Sequence, residues 1–323
     1  MKPKVFLTGA TGFFGSYLKK ALIKNGYNLV CLTRKNAEDS NDKLITLSAK
    51  NEDFFSKDFL KNAMTNCDAV IHLAAISDNN YINNQYDRDE FNKINKEFPL
   101  ILYKAAKESQ IKKFIFMSTI KVNGEYTQEV SFSENTPHDT GNRNQYVLSK
   151  INTENALISE YENNNLELLS IIRPPIIYGE GVRGNIKTLI KIIDKGFPLP
   201  TTSLNKKRSM ISVYNLADLI INILNSKLTG IVKSCCKDID ISTNDLIKRI
   251  AISLNKAKPD FYIPTGLLQF GAFIINKTEM MNKLTKPLLI NDNETRENFN
   301  WEPSLDFEIG MHKTIDSLIN SIS

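Results

Sequence analysis

Two side chains in the segment YVLSK, Tyr146 and Lys150, could carry out proton-transfer chemistry. They are four positions apart, so on a helix they lie on one face and can act on one group. A free tyrosine has a pKa near 10 and is a poor acid or base at neutral pH, but a nearby lysine ammonium favours the phenolate and lowers that pKa. The pair predicts general acid or base catalysis. The alternative is a tyrosine and a lysine that merely share a solvated helix face.

A glycine pattern near the N-terminus predicts a dinucleotide site. The stretch TGATGFFG places Gly9, Gly12 and Gly15 in a GxxGxxG spacing, directly after a strand-like run and at the start of a helix-like segment. Glycine permits a tight turn and a close approach of the backbone to a pyrophosphate, which the N–H groups and dipole of the helix N-terminus favour. We expect the whole turn, including Thr11 and Phe13, to bind the cofactor. A purely structural turn is the weaker interpretation at this position.

The segment CLTRKN indicates which dinucleotide is bound. NAD enzymes usually place a carboxylate at the end of the second strand, where it accepts a hydrogen bond from the ribose and repels the 2′-phosphate of NADP. This chain has Arg34 and Lys35 there instead. A charge-assisted contact is worth roughly 1.5–3 kcal/mol, so the sequence favours NADP(H). NAD(H) remains possible, because Glu38 or Asp39 could still reach the ribose.

The order of apolar runs predicts the scaffold that positions these groups. The runs KVFLTG, NLVCLT, LITLS, DAVIHLAA, KFIFMST and LELLSIIRP are separated by turns and helix-like segments. Repeated βαβ units of this kind predict an α/β fold with a doubly wound parallel sheet of the Rossmann type. A smaller, mostly helical C-terminal lobe would then bind the substrate.

The predicted division of the chain is discontinuous. Residues 1–173 and about 211–236 are expected to form the dinucleotide-binding domain, and residues 174–210 and about 237–323 the substrate-binding lobe. The pair Pro174-Pro175 ends the sixth predicted strand, because proline lacks the N–H donor that a sheet needs.

Composition excludes several functional classes. The 323 residues are 41% hydrophobic and 24% charged, with a net charge of only +5 spread along the chain, which argues against a nucleic-acid partner. The four cysteines lack metal-ligand spacing, so no metal site is expected. The N-terminus lacks the features of a signal peptide, and the apolar segment 266–276 is shorter than the about 20 residues that span a bilayer. We interpret that segment as a buried helix, with membrane-surface contact as the alternative, and expect a cytoplasmic protein with no integral membrane segment.

The motifs together resemble the extended short-chain dehydrogenase/reductase superfamily over nearly the whole chain. The resemblance rests on the glycine pattern, HLAA, Asn95 in NKINKE, the ST of FMST and YxxxK. In the second half, RPPIIYGEGVRGN, KKRSMISVYNLADLI and LINDNETRENFNWEP resemble the nucleotide-sugar branch. IKVNGE and GVRGN are most similar to enzymes acting at sugar carbon 4 in surface-polysaccharide pathways, both 4-epimerases and the 4-ketoreductases that make UDP-N-acetylquinovosamine.

The resemblance implies a role for each matching residue. Thr119 matches the catalytic hydroxyl that hydrogen-bonds the reacting sugar oxygen, Tyr146 exchanges the proton, and Lys150 binds the nicotinamide ribose and tunes Tyr146. The other implied contacts are Leu73, Ala74 and Ala75 with the cofactor, and Ser118, Asn185 and Arg208 with the substrate. For Arg208 the alternative is a solvated basic run that includes Lys206 and Lys207. The expected partners are a UDP-linked amino sugar or hexose and, for assembly, a second copy in a homodimer.

One departure from the family pattern narrows the reaction. Related 4,6-dehydratases have an Asp-Glu pair directly after the catalytic threonine, whereas this chain has Ile120 and Lys121. Without an acid and a base there, dehydration has no agent. The leading hypothesis is an NADP(H)-dependent reductase of a UDP-4-keto-6-deoxy-N-acetylhexosamine in surface-polysaccharide (O-antigen) biosynthesis. The alternatives are a UDP-sugar 4-epimerase with tightly bound NAD (UDP-GlcNAc/UDP-GalNAc or UDP-Glc/UDP-Gal) and, more remotely, a cofactor-sensing protein without turnover.

Overall fold

A parallel sheet forms the centre of the protein. The computed structural model describes residues 2–34, 43–50, 52–77, 87–142, 144–162, 166–197, 199, 205–256 and 285–320. The strands are β1 Lys4–Thr8, β2 Asn28–Thr33, β3 Leu44–Ser48, β4 Ala69–His72, β5 Lys113–Met117, β6 Leu168–Arg173, β7 Ile176–Tyr178, β8 Lys207–Ser212, β9 Gly230–Cys235 and β10 Ile239–Ser242. Seven of them form one sheet in the order β3-β2-β1-β4-β5-β6-β9, and neighbouring strands are parallel throughout. This arrangement confirms the predicted doubly wound α/β fold.

Helices cover both faces of the sheet. Those described are α1 Phe13–Lys24, α2 Lys57–Ala63, α3 Arg88–Asn92, α4 Phe98–Glu108, α5 Gln145–Glu162, α6 Gly184–Asp194, α7 Val213–Asn225, α8 Thr243–Ser253, α9 Asn293–Phe299 and α10 Phe307–Ile319. A π-helical turn, Lys93–Glu97, joins α3 to α4. Several helices begin at a side-chain cap, as where the Ser212 hydroxyl accepts a hydrogen bond from the third residue of α7.

The core has two layers because successive side chains of a strand point to opposite faces of the sheet. In β1, Val5 and Leu7 belong to one buried cluster, which includes Leu18 of α1. Between them, Phe6 belongs to a second cluster, which includes Leu102 of α4. Burial on both faces explains why the strands read as continuous apolar runs.

A second, smaller sheet lies beyond the main one. It has the order β10-β8-β7, with β7 and β8 parallel and β8 and β10 antiparallel. The sequence predicted a mostly helical lobe and missed this sheet, because its strands are short and are interrupted by helices. The chain then returns to the main sheet, where β9 pairs with β6. The exact division into two domains stays a prediction.

Among the residues that the structure describes, no helix is long and apolar enough to cross a membrane. The apolar segment 266–276, predicted as a buried helix, lies outside the described residues.

Candidate active site

The turn between β1 and α1 is a backbone cradle. Gly9 has φ +76°, and the N–H of Gly12 donates to its carbonyl at 3.0 Å. A Cβ on Gly15 would lie 2.0 Å from the Gly9 carbonyl oxygen, so only glycine allows the helix to start so close to the strand. Within the described chain no side chain caps α1 at Gly12, and its first turn has no acidic residue. The N–H groups of this turn, which also contains Thr11 and Phe13, therefore fit a pyrophosphate.

The end of β4 closes one side of this cradle. The N–H of Leu73 donates to the Thr8 carbonyl at 3.3 Å, and the N–H of Ala74 to the Thr8 hydroxyl at 3.4 Å. A Cβ on Gly9 would come within 2.7 Å of the Ala74 nitrogen. Ala75 follows and is exposed. The LAA segment predicted to contact the cofactor thus borders the glycine turn directly.

Arg34 follows the last residue of β2, the strand next to β1, and its side chain is 47% exposed. Its Nη1 lies 3.9 Å from Oε1 of Glu90 on α3. The sequence did not indicate Glu90, because it is 56 positions away in the chain. Lys35, Glu38 and Asp39 lie outside the described residues.

The predicted proton-transfer pair lies at the start of α5. Lys150 is buried, its Nζ donates to the Met117 carbonyl at 2.7 Å, and it lies 4.5 Å from the centre of the Phe116 ring and 5.9 Å from that of Tyr146. Burial lowers the pKa of Lys150 to about 8, and the negative charge of Glu154 opposes that decrease. A lysine with this pKa can exchange charge near neutral pH, which suits a partner in proton transfer.

Thr119 begins the turn that follows β5. It caps a short 3-10 helix, Ile120–Asn123, and its hydroxyl accepts from the N–H of Lys121 at 3.4 Å. The Ile120 side chain is buried in an apolar cluster, while Lys121 pairs with Glu125 at 3.6 Å. Neither position supplies a carboxylate next to Thr119.

Of the three residues predicted to contact the substrate, Ser118 and Arg208 already make hydrogen bonds within the protein, and Asn185 is exposed. The Ser118 hydroxyl donates to Glu154 and its side chain is buried. Arg208 on β8 is buried too, where it donates to the backbone carbonyls of Lys286 at 3.1 Å and Glu125 at 3.5 Å. It is therefore not part of a solvated run. Asn185 is exposed near the start of α6, and substrate contact by all three residues stays a prediction.

A match to a protein-family model shows which family the chain belongs to. The model of the NAD dependent epimerase/dehydratase family matches residues 5–233. The chain belongs to this family. The matched part runs from β1 into β9, so it contains the glycine turn and the Tyr146–Lys150 pair. The predicted superfamily and the prediction of an enzyme are confirmed.

Two curated relatives of this epimerase/dehydratase chain match over most of their length. It is 30% identical over 327 aligned residues to a UDP-glucose 4-epimerase of Vibrio cholerae, covering 99% of this chain and 97% of the relative. It is 28% identical to the N-acetyl-alpha-D-glucosaminyl-diphospho-ditrans,octacis-undecaprenol 4-epimerase of Escherichia coli O157:H7, covering 88% of this chain and 82% of the relative. Both relatives are named for reactions at sugar carbon 4.

Solved structures share the fold. A UDP-glucuronic acid 4-epimerase of Bacillus cereus in complex with NAD has a TM-score of 0.78 and 18% identity, covering 99% of this chain and all of that one. A UDP-glucose 4-epimerase of Thermotoga maritima with UDP-glucose has the same TM-score, identity and coverage. At this identity the likeness supports the Rossmann-type fold of the epimerase/dehydratase chain.

The structure reveals a buried network that the sequence did not indicate. The Glu154 carboxylate, on α5, is fully buried and accepts hydrogen bonds from Arg173 Nη2 at 2.6 Å and Nε at 3.2 Å. It also accepts from Ser118, and Nε2 of His138 lies 2.9 Å from both Glu154 Oε2 and Arg173 Nη2. Burial raises the pKa of Glu154, but these hydrogen bonds and the Arg173 charge lower it more, so it lies below its usual value. The sequence signal that could have pointed to Glu154 is the four-residue spacing from Tyr146 through Lys150 to Glu154.

Asn95, part of the family resemblance, holds the loop after β4. Its side chain accepts from the N–H of Ile76 at 2.8 Å and donates to the Ile76 carbonyl at 2.9 Å. Its own carbonyl accepts from the Thr153 hydroxyl of α5 at 2.9 Å. The residue lies in the π-helical turn, a local structure common at functional sites of enzymes. It connects the loop after β4 to α5, the helix that carries Tyr146.

Proposed function

We propose that the protein is an NADPH-dependent reductase that converts a UDP-4-keto-6-deoxy-N-acetylhexosamine to the 4-hydroxy sugar in surface-polysaccharide (O-antigen) biosynthesis. The observation that carries the proposal is Arg34, which stands after β2 where a carboxylate would select NAD. A reductase consumes one hydride in each turnover and commonly takes it from NADPH. An epimerase regenerates its cofactor in every cycle and has no such requirement.

The nearby carboxylate does not cancel this preference. Arg34 and Glu90 are 3.9 Å apart and both are more than 40% exposed, and such surface pairs contribute about 0–1 kcal/mol. A charge-assisted contact with a 2′-phosphate is worth about 1.5–3 kcal/mol. The phosphate would therefore displace Glu90 from Arg34, although the Glu90 carboxylate reduces the net gain.

The described residues fit a nicotinamide dinucleotide. The glycine turn would hold the pyrophosphate, Arg34 the 2′-phosphate and Lys150 the nicotinamide ribose, while Leu73–Ala75 would border the cofactor. A side chain at Gly9 or Gly15 would clash with the backbone, as expected where a backbone must approach a phosphate closely. When bound, the nicotinamide supplies the hydride.

Side chains of the protein would carry out the proton transfer. As negative charge develops on the oxygen at carbon 4, the Thr119 hydroxyl donates a hydrogen bond to it and the Tyr146 phenol transfers its proton. The Lys150 ammonium stabilises the remaining phenolate. Because the pKa of Lys150 is about 8, turnover should be maintained below that pH and should decline above it as the ammonium loses its proton.

The same site lacks the groups for dehydration. Ile120 is buried and Lys121 pairs with Glu125, so no acid-base pair follows Thr119. The proposed substrate therefore reaches the enzyme as a ready-made 4-keto sugar, and a separate dehydratase must supply it. Asn185 and Arg208 would hold its diphosphate, although Arg208 must first exchange its contacts with Lys286 and Glu125.

A coupled assay tests the proposal. A separate 4,6-dehydratase generates the 4-keto sugar from UDP-GlcNAc, and the absorbance of NADPH is followed after this protein is added. We expect NADPH oxidation together with formation of the 4-hydroxy sugar, and a parallel dTDP-sugar assay identifies the base. Accumulation of the 4-keto sugar at constant NADPH would contradict the reductase proposal.

A 4-epimerase with bound NAD is the second candidate. The observation that favours it is the end-to-end match with the Vibrio cholerae UDP-glucose 4-epimerase. It predicts interconversion of UDP-GlcNAc and UDP-GalNAc, or of UDP-Glc and UDP-Gal, without added cofactor. Chromatography of the products distinguishes it from the reductase.

A further inference from the structure

One carboxylate joins the segments that surround the catalytic groups. Ser118 at the end of β5, His138 in the β5–α5 connection and Arg173 at the end of β6 all meet Glu154. Arg173 also donates to the Glu134 carbonyl at 3.3 Å. Thr119 is the next residue after Ser118, so its position depends on this junction.

Another nitrogen of Arg173, Nη1, holds the turn that begins at Thr119. Arg173 Nη1 lies 3.5 Å from Oδ1 of Asn123, the last residue of the 3-10 turn that Thr119 begins. The Asn123 amide donates to the carbonyls of Thr136 at 2.6 Å and Pro137 at 3.1 Å. Both ends of the Thr119 turn are thereby connected to Glu154, one through Ser118 and the other through Arg173.

The buried charge also acts on Lys150. Glu154 lies one helical turn beyond Lys150, and its negative charge opposes the effect of burial on the lysine pKa. Arg173 compensates Glu154 itself, since a buried carboxylate without a partner would be strongly unfavourable. Among the described residues, the charged and titratable groups around the pair are Arg173 and His138 against Glu154, Cys235 with its neighbours Glu134 and Asp292, and His72 and Tyr146 near Lys150.

Two of these neighbours keep one charge state near neutral pH. Burial lowers the pKa of His72 to about 3, so it is neutral. Burial raises the pKa of Cys235 well above its ordinary value, so it is a thiol. Neither of these two groups therefore titrates near pH 8, where Lys150 does.

We propose that Glu154 is the positioning residue of the active site: it holds the Thr119 turn against the Tyr146–Lys150 face of α5 and places a negative charge one helical turn from Lys150. Glu154 does not touch the substrate in this scheme. The two effects are measured separately, because the first acts on kcat and the second on the pH at which kcat declines.

Two substitutions test the two effects. Glu154→Gln keeps the length of the side chain and removes its charge. The pH above which kcat declines (the high-pH limb of the profile) should therefore fall by roughly 1 unit. Glu154→Asp keeps the charge and shortens the side chain, so kcat should fall by about tenfold or more while the limb stays in place. Glu160→Gln is the matched control, since Glu160 is a carboxylate on α5 that pairs with Lys104 at 3.0 Å at the surface. It should leave both kcat and the limb unchanged.

The kcat measurements rest on the proposed reductase activity. A second measurement, of the Lys150 pKa, needs no substrate. Side-chain nitrogen NMR of isotope-labelled lysine, with the Lys150 signal assigned through Lys150→Met, follows the Lys150 pKa directly. A lower pKa in Glu154→Gln than in the wild type supports the proposal even if no tested sugar is turned over. An unchanged Lys150 pKa in folded Glu154→Gln would overturn the electrostatic part of it.

Ser118→Ala keeps the test informative if the Glu154 variants do not fold. It removes one small donor and leaves the Glu154–Arg173 ion pair intact. We expect a decrease in kcat of about tenfold with little change in KM, and an unchanged Lys150 pKa. Wild-type kcat in this variant would overturn the positioning part of the proposal.

Discussion

The turn between β1 and α1 depends on glycines, which have no side chain, whereas the Tyr146–Lys150 helix α5 is held at Glu154 by side chains from three other segments. In the turn, Gly9 and Gly15 leave room for backbone and ligand. Glu154 of α5 and Arg173 of β6 form a buried ion pair. The first site needs a conformation that few residues allow, and the second needs an exact balance of charge and hydrogen bonds. They should therefore respond differently to substitution.

The largest expected effect concerns the catalytic face. Tyr146→Phe removes the proton donor and should lower turnover about 10²–10⁴-fold. Cofactor binding should change little, because the Lys150 contacts with Met117 and Phe116 remain. Turnover and the dissociation constant of NADPH, measured on the same preparation, check this separation. A variant that loses cofactor affinity as strongly as turnover would show that the two regions are not independent.

The corresponding change in the turn is Gly15→Ala. The added Cβ meets the Gly9 carbonyl oxygen at 2.0 Å, so the helix must shift, at a cost of about 1–3 kcal/mol in the free energy of unfolding. Cofactor binding should be lost along with stability, as denaturant unfolding and a binding titration can measure. Gly141→Ala is the control, since a Cβ there would meet its nearest neighbour at an ordinary 3.4 Å. Equal effects of the two substitutions would refute the close-approach argument.

Arg34→Asp changes the side chain that follows β2, the strand next to β1. It should weaken NADPH binding by about 10–100-fold and affect NADH much less, because only NADPH has the 2′-phosphate. Equilibrium titration with both cofactors gives the two ratios. The control is Arg249→Asp, at a partly exposed arginine of α8 that pairs with Glu308 of α10. Equal losses for both cofactors would remove the basis for NADP(H) selection.

The smallest effect is expected from Glu90→Gln. Removing this carboxylate removes one competitor for Arg34 and should tighten NADPH binding by up to about fivefold, as for an exposed ion pair. Asp89→Asn, one residue earlier on α3, removes the same charge without removing the Arg34 partner. The ratio of the two NADPH dissociation constants isolates the pair. A weaker binding of NADPH to Glu90→Gln would show that Glu90 assists the cofactor.

The sequence was sufficient for the features that rest on local patterns. Gly9, Gly12 and Gly15 predict the turn because each glycine position has a local steric reason, and Tyr146 and Lys150 share a helix face by spacing alone. Apolar runs buried on both faces predict the parallel strands. In each case the physical requirement lies within a few residues of the chain.

The features that the sequence did not reveal depend on distant partners. Arg173 reads as the end of a strand, and nothing near it indicates that it pairs with Glu154. Arg208 reads as part of a basic run, yet it is buried against the carbonyls of Lys286 and Glu125. Glu90 approaches Arg34 only after the chain has passed through β3 and β4. Such contacts require the three-dimensional fold.

The position of β9 in the sheet has a consequence for how the chain is made. β6 pairs with β9 from Leu168↔Gly230 to Arg173↔Cys235, although the small second sheet begins in the interval between them. Until residue 235 has left the ribosome, β6 is an edge strand whose free N–H and C=O groups can pair with another chain. The nascent protein therefore carries the edge of β6 unprotected for about sixty residues of synthesis. Fragments that stop before β9 should therefore aggregate through β6.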